Sequence, residues 1–339
     1  MIEDCVVVDG VVHGYYSPPG TYTNPVAGLV VDSLYHGYHL NFSPRGEPEW
    51  LLDKDRFVRA DAELLGDALF AQSPTDFAVY HDIPLYGLYK DGASPLWVGQ
   101  ELRRRHPGRV AVFGGIWPFH PDPIGEVDRL VDEVGVSGLK FYPYDIYDGV
   151  GQETRMDDRD AVFPILEHAR KRGIRTVAVH KAVAMSGCPT GPFHPRDLED
   201  ALLAFPDMWF QIVHGGFAYV EETAIQLSYH RNATVVLEGV SAYLVNSPLK
   251  FAQILAAFVM TGAHDRIIWG TGCTALHPRP MVEAFWRFEW PETLAKGYGL
   301  PPMTPEFKQA VLGGNLARIL GLDLDAIPRN TAAMAAPWS

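Results

Sequence analysis

Short runs of β-branched residues alternate with longer amphipathic stretches along almost the whole chain. The stretches between the runs carry apolar residues three and four positions apart, which is typical of helices. A strand followed by a helix, repeated many times, is the pattern of a parallel sheet. The eight runs predict strands over residues 6–8, 77–80, 110–114, 138–142, 176–180, 210–214, 234–238 and 266–270.

The ends of these runs favour a closed barrel. The runs are apolar and several end in a polar residue, as strands do in a (β/α)8 TIM barrel, whose functional groups lie at the C-terminal ends of the strands. An open, doubly wound sheet is the alternative. It is disfavoured because no glycine-rich phosphate-binding motif follows an early strand and because polar tips recur on several strands. We therefore predict an α/β fold of the (β/α)8 type.

Residues 15–50 form a long insertion after the first strand, rich in proline and glycine. It is too long for an ordinary barrel loop, so we predict either a lid over the barrel or an arm in an interface. Its many apolar and aromatic residues lead us to expect an obligate homo- or hetero-oligomer. We predict one domain over residues 1–325, followed by a tail over residues 326–339.

Charge and cysteine content restrict the class of protein. The formal net charge is −13, and the only dense basic patch is residues 103–105, so a nucleic-acid partner is not expected. Three cysteines without paired spacing indicate a reducing compartment rather than a disulfide framework. The N-terminus lacks the features of a signal peptide, and no apolar run approaches about 18 residues. We expect a cytoplasmic protein with no membrane segment.

Histidines stand at the ends of two consecutive predicted strands. His180 ends the fifth strand, and His214 ends the sixth, before two glycines. A barrel places neighbouring strand ends around one cavity. Imidazoles that converge there are suitable ligands for zinc, iron or manganese and suitable groups for moving protons. A single histidine at a strand end is more often structural, but two on adjacent strands favour a functional site.

Five segments, from Asp9-Gly-Val11-Val-His13 at the first strand to Gly314-Asn315-Leu-Ala-Arg-Ile-Leu near the end of the chain, form an ordered series. In this order they resemble segments of the amidohydrolase-related metalloenzymes, in the branch typified by aminocarboxymuconate-semialdehyde decarboxylase. The resemblance covers nearly the whole chain and implies a TIM barrel, a divalent metal, a small-molecule substrate and a role for His214 on the substrate or on a second metal. It identifies His13 and His180 as metal ligands. The segments are Asp9-Gly-Val11-Val-His13, Gly138-Leu-Lys140-Phe-Tyr-Pro143, His214-Gly-Gly, Trp269-Gly-Thr-Gly272-Cys273 and Gly314-Asn315-Leu-Ala-Arg-Ile-Leu.

Two positions depart from the pattern of that family. Val11 stands where the family has the first histidine of its Asp-x-His-x-His motif, and Gly272 stands where it has a metal-binding aspartate. Neither residue can coordinate a metal ion. If the chain binds a metal, other groups must complete the ligand set.

Other residues near the predicted strand ends are candidates to complete the set. We predict Glu238 as a catalytic carboxylate beside His214, because a charged residue at the end of an apolar run otherwise needs a buried partner. Cys273 is the predicted additional metal ligand, beside His13, His180 and His214. The remaining candidates, each more readily explained as structural, are His81, Asp82 and His277.

Lys140 has two interpretations. In dinuclear barrel hydrolases a lysine on the fourth strand can be carbamylated to bridge two metals, which requires a neutral amine. The favoured interpretation is an ion pair with Asp145 or Asp148.

Three functions remain open from the sequence. The first is a metal-dependent enzyme that hydrolyses or non-oxidatively decarboxylates a small carboxylate or amide. The second is one subunit of a two-chain metal-dependent oxygenase that hydroxylates a small amino acid such as 2-aminoisobutyrate, with a second amidohydrolase-like chain as its partner. The third is a non-catalytic partner subunit with a degraded site. Resemblance in fold does not choose among them.

Overall fold

A computed structural model describes residue 2, residues 5–330 and residues 333–339 of the chain. It contains an eight-stranded parallel sheet in the order β1-β2-β3-β4-β7-β8-β9-β10 and a two-stranded antiparallel sheet of β5 and β6. The predicted (β/α)8 TIM barrel is confirmed. The strands are β1 Val8–Val12, β2 Phe77–His81, β3 Val110–Ile116, β4 Gly138–Phe141, β5 Tyr144–Tyr147, β6 Val150–Glu153, β7 Thr176–His180, β8 Trp209–Val213, β9 Ala233–Val236 and β10 Ile267–Ile268.

Backbone hydrogen bonds between the first strand and the segment after β10 close the barrel. Gly10 N–H donates to the carbonyl of Trp269, Gly272 N–H to that of Val11, and His13 N–H to that of Cys273, at 3.0, 3.0 and 2.5 Å. The buried carboxylate of Asp9 accepts from the backbone N–H groups of Val11 and Thr271 at 3.2 and 3.0 Å. Asp9, part of the family-like motif at the first strand, therefore joins the two ends of the sheet.

Helices surround the sheet, and none among the described residues is long and apolar enough to cross a membrane. Three segments are π-helical: Ser33–His39, Leu130–Val134 and Ala310–Gly314. The 3-10 segments are Pro19–Thr21, Pro48–Trp50, Gly191–Phe193, Pro195–Asp197, Val240–Ala242, His264–Arg266 and Leu324–Ala326. The α-helices are Val26–Asp32, Leu40–Phe42, Lys54–Phe57, Ala62–Phe70, Leu96–Arg105, Pro123–Arg129, Phe163–Lys171, Leu198–Ala204, Val220–Tyr229, Tyr243–Asn246, Pro248–Val259, Pro278–Arg287, Glu292–Tyr298, Pro305–Gln309 and Asn315–Leu320.

All eight predicted strands are present, and their limits differ by a few residues. The first strand begins at Val8 rather than at residue 6, because the chain pairs with β2 only from that point. The hairpin of β5 and β6 was not predicted. Its turn contains Asp148 and Gly149, both at positive φ, and a single aspartate–glycine pair between short polar strands is a weak signal in sequence.

The insertion folds over the mouth of its own barrel. The ring of His39 donates from Nδ1 to the carbonyl of Ala275 at 2.7 Å and accepts at Nε2 from Leu52 N–H at 2.9 Å. The side-chain amide of Asn246 donates to the carbonyls of Phe42 and Ser43 at 3.1 and 2.9 Å. These bonds tie the insertion to the loops after β9 and β10.

This packing also uses most of the apolar surface of the insertion. Val31 is buried in the core, and aromatic residues such as Tyr15, Tyr35 and Tyr38 pack against it. Among the large apolar residues of the insertion, those most exposed are Leu29 and Leu40, at 56% and 37%. The apolar content of the insertion, from which we predicted an oligomer, is thus accounted for within one chain.

The last described segment of the tail, residues 333–339, packs on the same chain. Trp338 is 4% exposed, and its backbone N–H donates to Oε1 of Gln72 at 2.8 Å. Its ring meets that of His277 edge-on, with centroids 4.8 Å apart. The tail therefore buries an aromatic ring between the 72–76 loop and the loop after β10.

Replacing Trp338 by alanine tests this anchoring. We expect the free energy of unfolding to fall by about 3 kcal/mol, near the lower limit for a buried aromatic residue, because the tail can detach locally. The control is Trp97→Ala, because Trp97 is 42% exposed. Its substitution should lower the free energy of unfolding by about 1 kcal/mol or less. Urea denaturation measures both losses, and equal values would contradict the anchoring.

Candidate active site

A cavity of about 270 Å³ lies at the C-terminal mouth of the barrel, beneath the insertion. Aromatic side chains from the insertion and from the barrel loops form much of its wall. Four further side chains, three histidines and one glutamate, also line the cavity. The aromatic residues are Tyr15, Tyr38, Phe42, Tyr89, Tyr142 and Phe217, and the four others are His13, His180, His214 and Glu238. The structure thus brings together four residues that the sequence analysis selected.

Three of these residues form a chain of contacts that we call the relay: His180, His214 and Glu238. His180 is the last residue of β7, His214 directly follows β8, and Glu238 lies two residues after β9. Nε2 of His180 lies 2.6 Å from the carbonyl oxygen of Val183, and Nδ1 lies 3.0 Å from Nε2 of His214. Nδ1 of His214 contacts Oε2 of Glu238.

The relay requires a proton between His214 and Glu238. A carbonyl oxygen only accepts, so His180 is protonated at Nε2 and, as a neutral ring, accepts at Nδ1 from the Nε2–H of His214. A neutral His214 would then present a lone pair at Nδ1 to the carboxylate. The contact is favourable only if Glu238 is protonated or His214 is an imidazolium, so the pair holds one transferable proton.

Burial keeps the histidines of the site neutral. It lowers the pKa of His180 and of His214 well below the usual range, and the charge of Lys140 lowers both further. Burial also lowers the pKa of His13 to about 3, again with a contribution from Lys140.

His13 contributes one ring nitrogen to the cavity side of the site. Its Nδ1 donates to the carbonyl of His81 at 3.0 Å, which leaves Nε2 unprotonated in the neutral ring. Its backbone is fixed by the bond to Cys273 that closes the barrel. The ring is therefore an acceptor of fixed orientation.

Glu238 fills the space that a side chain at position 272 would use. Gly272 has a φ of +70°, and a Cβ built on it would lie 2.9 Å from the carboxyl carbon of Glu238 and closer still to Oε1. A carboxylate is thus present where the family has an aspartate after its last barrel strand, but here it follows the neighbouring strand β9 and contacts His214.

Val11, at the other departed position, packs inside the barrel. It is fully buried in a cluster with Val79, Phe113 and Ile268, below the cavity. Its side chain fills the core rather than facing the site.

The structure does not place Cys273 among the groups of the cavity. Its side chain is fully buried in the apolar core and does not line the cavity. Burial raises the pKa of the thiol well above its usual range, so the thiolate that a metal requires is disfavoured. The predicted role of Cys273 as a metal ligand is therefore not supported.

The remaining candidates from the sequence have structural partners or lie below the site. His277 accepts at Nδ1 from Arg279 N–H at 3.3 Å at the start of a helix, and its Nε2 lies 3.2 Å from Oε1 of Gln72. Asp82 accepts from Gly115 N–H at 2.9 Å, and burial raises its pKa to about 7. His81 is fully buried, and neither of its ring nitrogens has a hydrogen-bond partner within the described residues.

The predicted ion pair of Lys140 is wrong. The Nζ atom of Lys140 is buried and has no hydrogen-bond partner in the part of the chain that the structure describes. Asp145 instead accepts from the backbone N–H groups of Gly87 and Ile146 at 2.9 and 2.7 Å, and Asp148 is exposed in the β5–β6 turn. Burial lowers the pKa of Lys140 to about 7.

The side chains present do not fit a divalent metal. Within the described part of the chain, no three histidine, cysteine, aspartate or glutamate side chains converge as ligands for one ion. His180 and His214 face each other, the second nitrogen of His214 faces Glu238, and Cys273 lies in the core. The described structure therefore does not gather His13, His180, His214 and Cys273, the predicted ligands, around one point.

The sequence analysis missed two groups of the site. The ring of Tyr142 lies against His180, with centroids 4.2 Å apart, and the hydroxyl of Tyr38 lies 3.5 Å from Oε1 of Glu238. Tyr142 ended a predicted strand and was therefore recognisable as a tip residue. Tyr38 belongs to the insertion, and no sequence pattern indicated which of its tyrosines reaches the barrel.

Comparison with known proteins supports the fold and the family resemblance. A family model described as amidohydrolase matches residues 45–322. An uncharacterized TIM-barrel protein from Bordetella bronchiseptica is 16% identical, with a TM-score of 0.62 over 93% of this chain and 98% of that one. No curated protein sequence matches the chain.

Two of the similar solved structures are decarboxylases of aromatic acids. 5-Carboxyvanillate decarboxylase from Novosphingobium aromaticivorans, solved with manganese, is 11% identical, with a TM-score of 0.60 over 95% of this chain and 98% of that one. 2,6-Dihydroxybenzoate decarboxylase from Rhizobium is 12% identical, with a TM-score of 0.58 over 94% and 99%. At these identities the likeness shows the fold.

Substituting Gly272 by alanine tests the placement of Glu238. We expect a loss of about 2–3 kcal/mol in the free energy of unfolding, from positive φ and from overlap with the carboxylate. Gly321→Ala is the matched control, because Gly321 has a φ of +67° and no atom within 4 Å of its built Cβ. It should lose about 1 kcal/mol. The difference between the two losses should shrink in a Glu238→Ala background, and an unchanged difference would contradict the placement.

The buried amine of Lys140 predicts how stability depends on pH. The pKa of Lys140 is about 7 in the folded protein, whereas an ordinary lysine, as in the unfolded chain, has a pKa of 10.5. Between these two pH values the unfolded chain therefore binds more protons than the folded protein. Wild-type stability should rise with pH over this window, by up to about 1.4 kcal/mol per pH unit relative to Lys140→Met. Denaturation of both proteins from pH 7 to pH 9.5 measures this, with Lys90→Met as an exposed-lysine control. A constant difference between wild type and Lys140→Met would contradict the assignment.

Proposed function

Because the chain belongs to the amidohydrolase family, we propose that its cavity is an active site for non-oxidative decarboxylation of a small aromatic carboxylic acid. The observation that carries the proposal is the contact between Nδ1 of His214 and the carboxyl group of Glu238 at the wall of a small aromatic cavity. A positioned carboxyl–imidazole pair is the usual means of delivering a proton in a reaction.

The dimensions and lining of the cavity favour a small, flat, mostly apolar substrate. A volume of about 270 Å³ lies at the lower limit for ligand pockets. Tyr142 presents a ring beside His180, and Phe217 stacks on Tyr243 with centroids 5.6 Å apart. Aromatic side chains pack well against an aromatic ring, which supports an aromatic acid as the substrate.

Decarboxylation fits this site better than hydrolysis does. Hydrolysis needs a water molecule activated beside the substrate, and the described donors do not form a metal site that would lower the pKa of water. The insertion covers the mouth and limits the entry of water, which favours the loss of charge from a carboxylate. The similar aromatic-acid decarboxylases agree with this choice.

The residues of the relay account for the proton in the reaction. Glu238 and His214 deliver their proton to the ring carbon that carries the carboxylate. The bond between that carbon and the carboxylate then breaks, its electron pair returns to the ring, and carbon dioxide leaves. His180 positions His214 by accepting its Nε2–H, and a proton from water restores the pair.

The two other functions considered from the sequence receive no specific support. A two-chain oxygenase needs redox metals, for which the described donors do not form a site. A non-catalytic subunit gives no reason to bury Glu238 against His214 beneath a lid. We therefore carry decarboxylation forward alone.

Carbon dioxide release from a panel of hydroxy- and aminobenzoates tests the proposal. Glu238→Gln should lower kcat for the best substrate by at least about 100-fold, because the amide cannot hold the shared proton. Cys273→Ala, at a buried residue outside the cavity, should change kcat less than about threefold. Release from none of the panel, or full activity of Glu238→Gln, would contradict the proposed function.

A further inference from the structure

Lys140 is a buried cationic group that the relay does not use. It lies on β4 between Gly115 of β3 and Ala178 of β7 and is fully buried inside the barrel. Its Nζ atom has no hydrogen-bond partner among the described residues. An amine buried without a partner is costly to the fold, so its presence calls for a function.

The charge of Lys140 acts on the histidines of the site. Burial is the main cause that lowers the pKa of His13, His180 and His214, which line the cavity, and of His81, and the charge of Lys140 lowers all four further. Lys140 is paired with Ala178, two residues before His180 on β7, so its side chain shares the face of the sheet that carries His180 and lies one layer below that cavity residue. In a site shielded from water, such an interaction is little screened.

Among the described residues that line the cavity, no other side chain supplies a cation to match a carboxylate. Its histidines are neutral, and Glu238 and His214 share one proton and are neutral together. The nearby acids Asp82 and Asp145 are engaged by backbone N–H groups. With Lys140 protonated, Lys140 and the histidine and glutamate side chains of the cavity wall together carry one positive charge, which matches one carboxylate.

We propose that Lys140 supplies, as an ammonium group, the positive charge that draws a substrate carboxylate into the cavity, and that no metal ion takes this part. The inference rests on the proposed function for its choice of ligand. Carbamylation of the same amine would make it an anion and would give the opposite electrostatics.

A charged and a neutral probe separate the role of Lys140 from a structural one. We would measure binding of 2-hydroxybenzoate and of 2-hydroxybenzamide by calorimetry to wild type and to Lys140→Met, before and after dialysis against a chelator. Metal content per chain is measured on the same samples. Lys140→Met should weaken binding of the acid at least tenfold and binding of the amide less than threefold. Chelation should leave wild-type binding unchanged.

Several results would overturn the inference. They are one tightly bound metal ion per chain whose removal abolishes binding, equal weakening of the acid and the amide in Lys140→Met, or a carbamate carbon signal from protein equilibrated with ¹³C-bicarbonate. If wild type binds neither probe, the proposed substrate class is wrong, and Lys140 is then judged on the histidine ring signals in nuclear magnetic resonance. The ring signals of His180 and His214 should titrate at higher pH in Lys140→Met than in wild type. Unchanged titration would overturn the electrostatic role.

Discussion

The contact of Glu238 with His214 determines what else this site can contain. The carboxylate reaches His214 only because position 272 is a glycine, whose missing Cβ leaves room for it. The same contact orients His214, which in turn donates to His180, whose far nitrogen is held by the carbonyl of Val183. The missing side chain at position 272, after the last strand, thus fixes the arrangement of three others.

The departures from the family pattern agree with one another. Val11 fills the interior below the cavity, and Gly272 has no side chain. The two metal ligands that the family has at these positions, on the first strand and after the last strand, are therefore lost together. Asp9 remains but serves to join the ends of the sheet. A barrel of this family can therefore keep its fold and its histidines while the metal ligands of its site are lost and its carboxylate comes from a different strand end.

The fold was largely predictable because the relevant signal is repeated. Eight apolar runs separated by amphipathic windows specify a barrel even when the limit of each strand is uncertain by a few residues. The histidines at strand ends were predictable for the same reason, since the topology fixes where strand ends meet.

The details of the site were not predictable because they depend on contacts between distant segments. Cys273 follows β10 in sequence as a ligand would, but its side chain turns into the core. Lys140 has two acids shortly after it in sequence, and both point elsewhere. Tyr38 reaches Glu238 across 200 residues. Sequence spacing constrains which residues reach the mouth of the barrel, and packing decides which atoms they face.

The protonation of the relay is the most direct test of this account. Long-range ¹⁵N–¹H correlation spectra of histidine-labelled protein report which ring nitrogen carries a proton, with His180 and His214 assigned from single substitutions. We predict that His180 is protonated at Nε2 alone, and that His214 is protonated at Nε2 and shares a further proton at Nδ1 with Glu238. Spectra in which Nδ1 of His180 and Nε2 of His214 are both unprotonated and ligated to a metal would contradict the account.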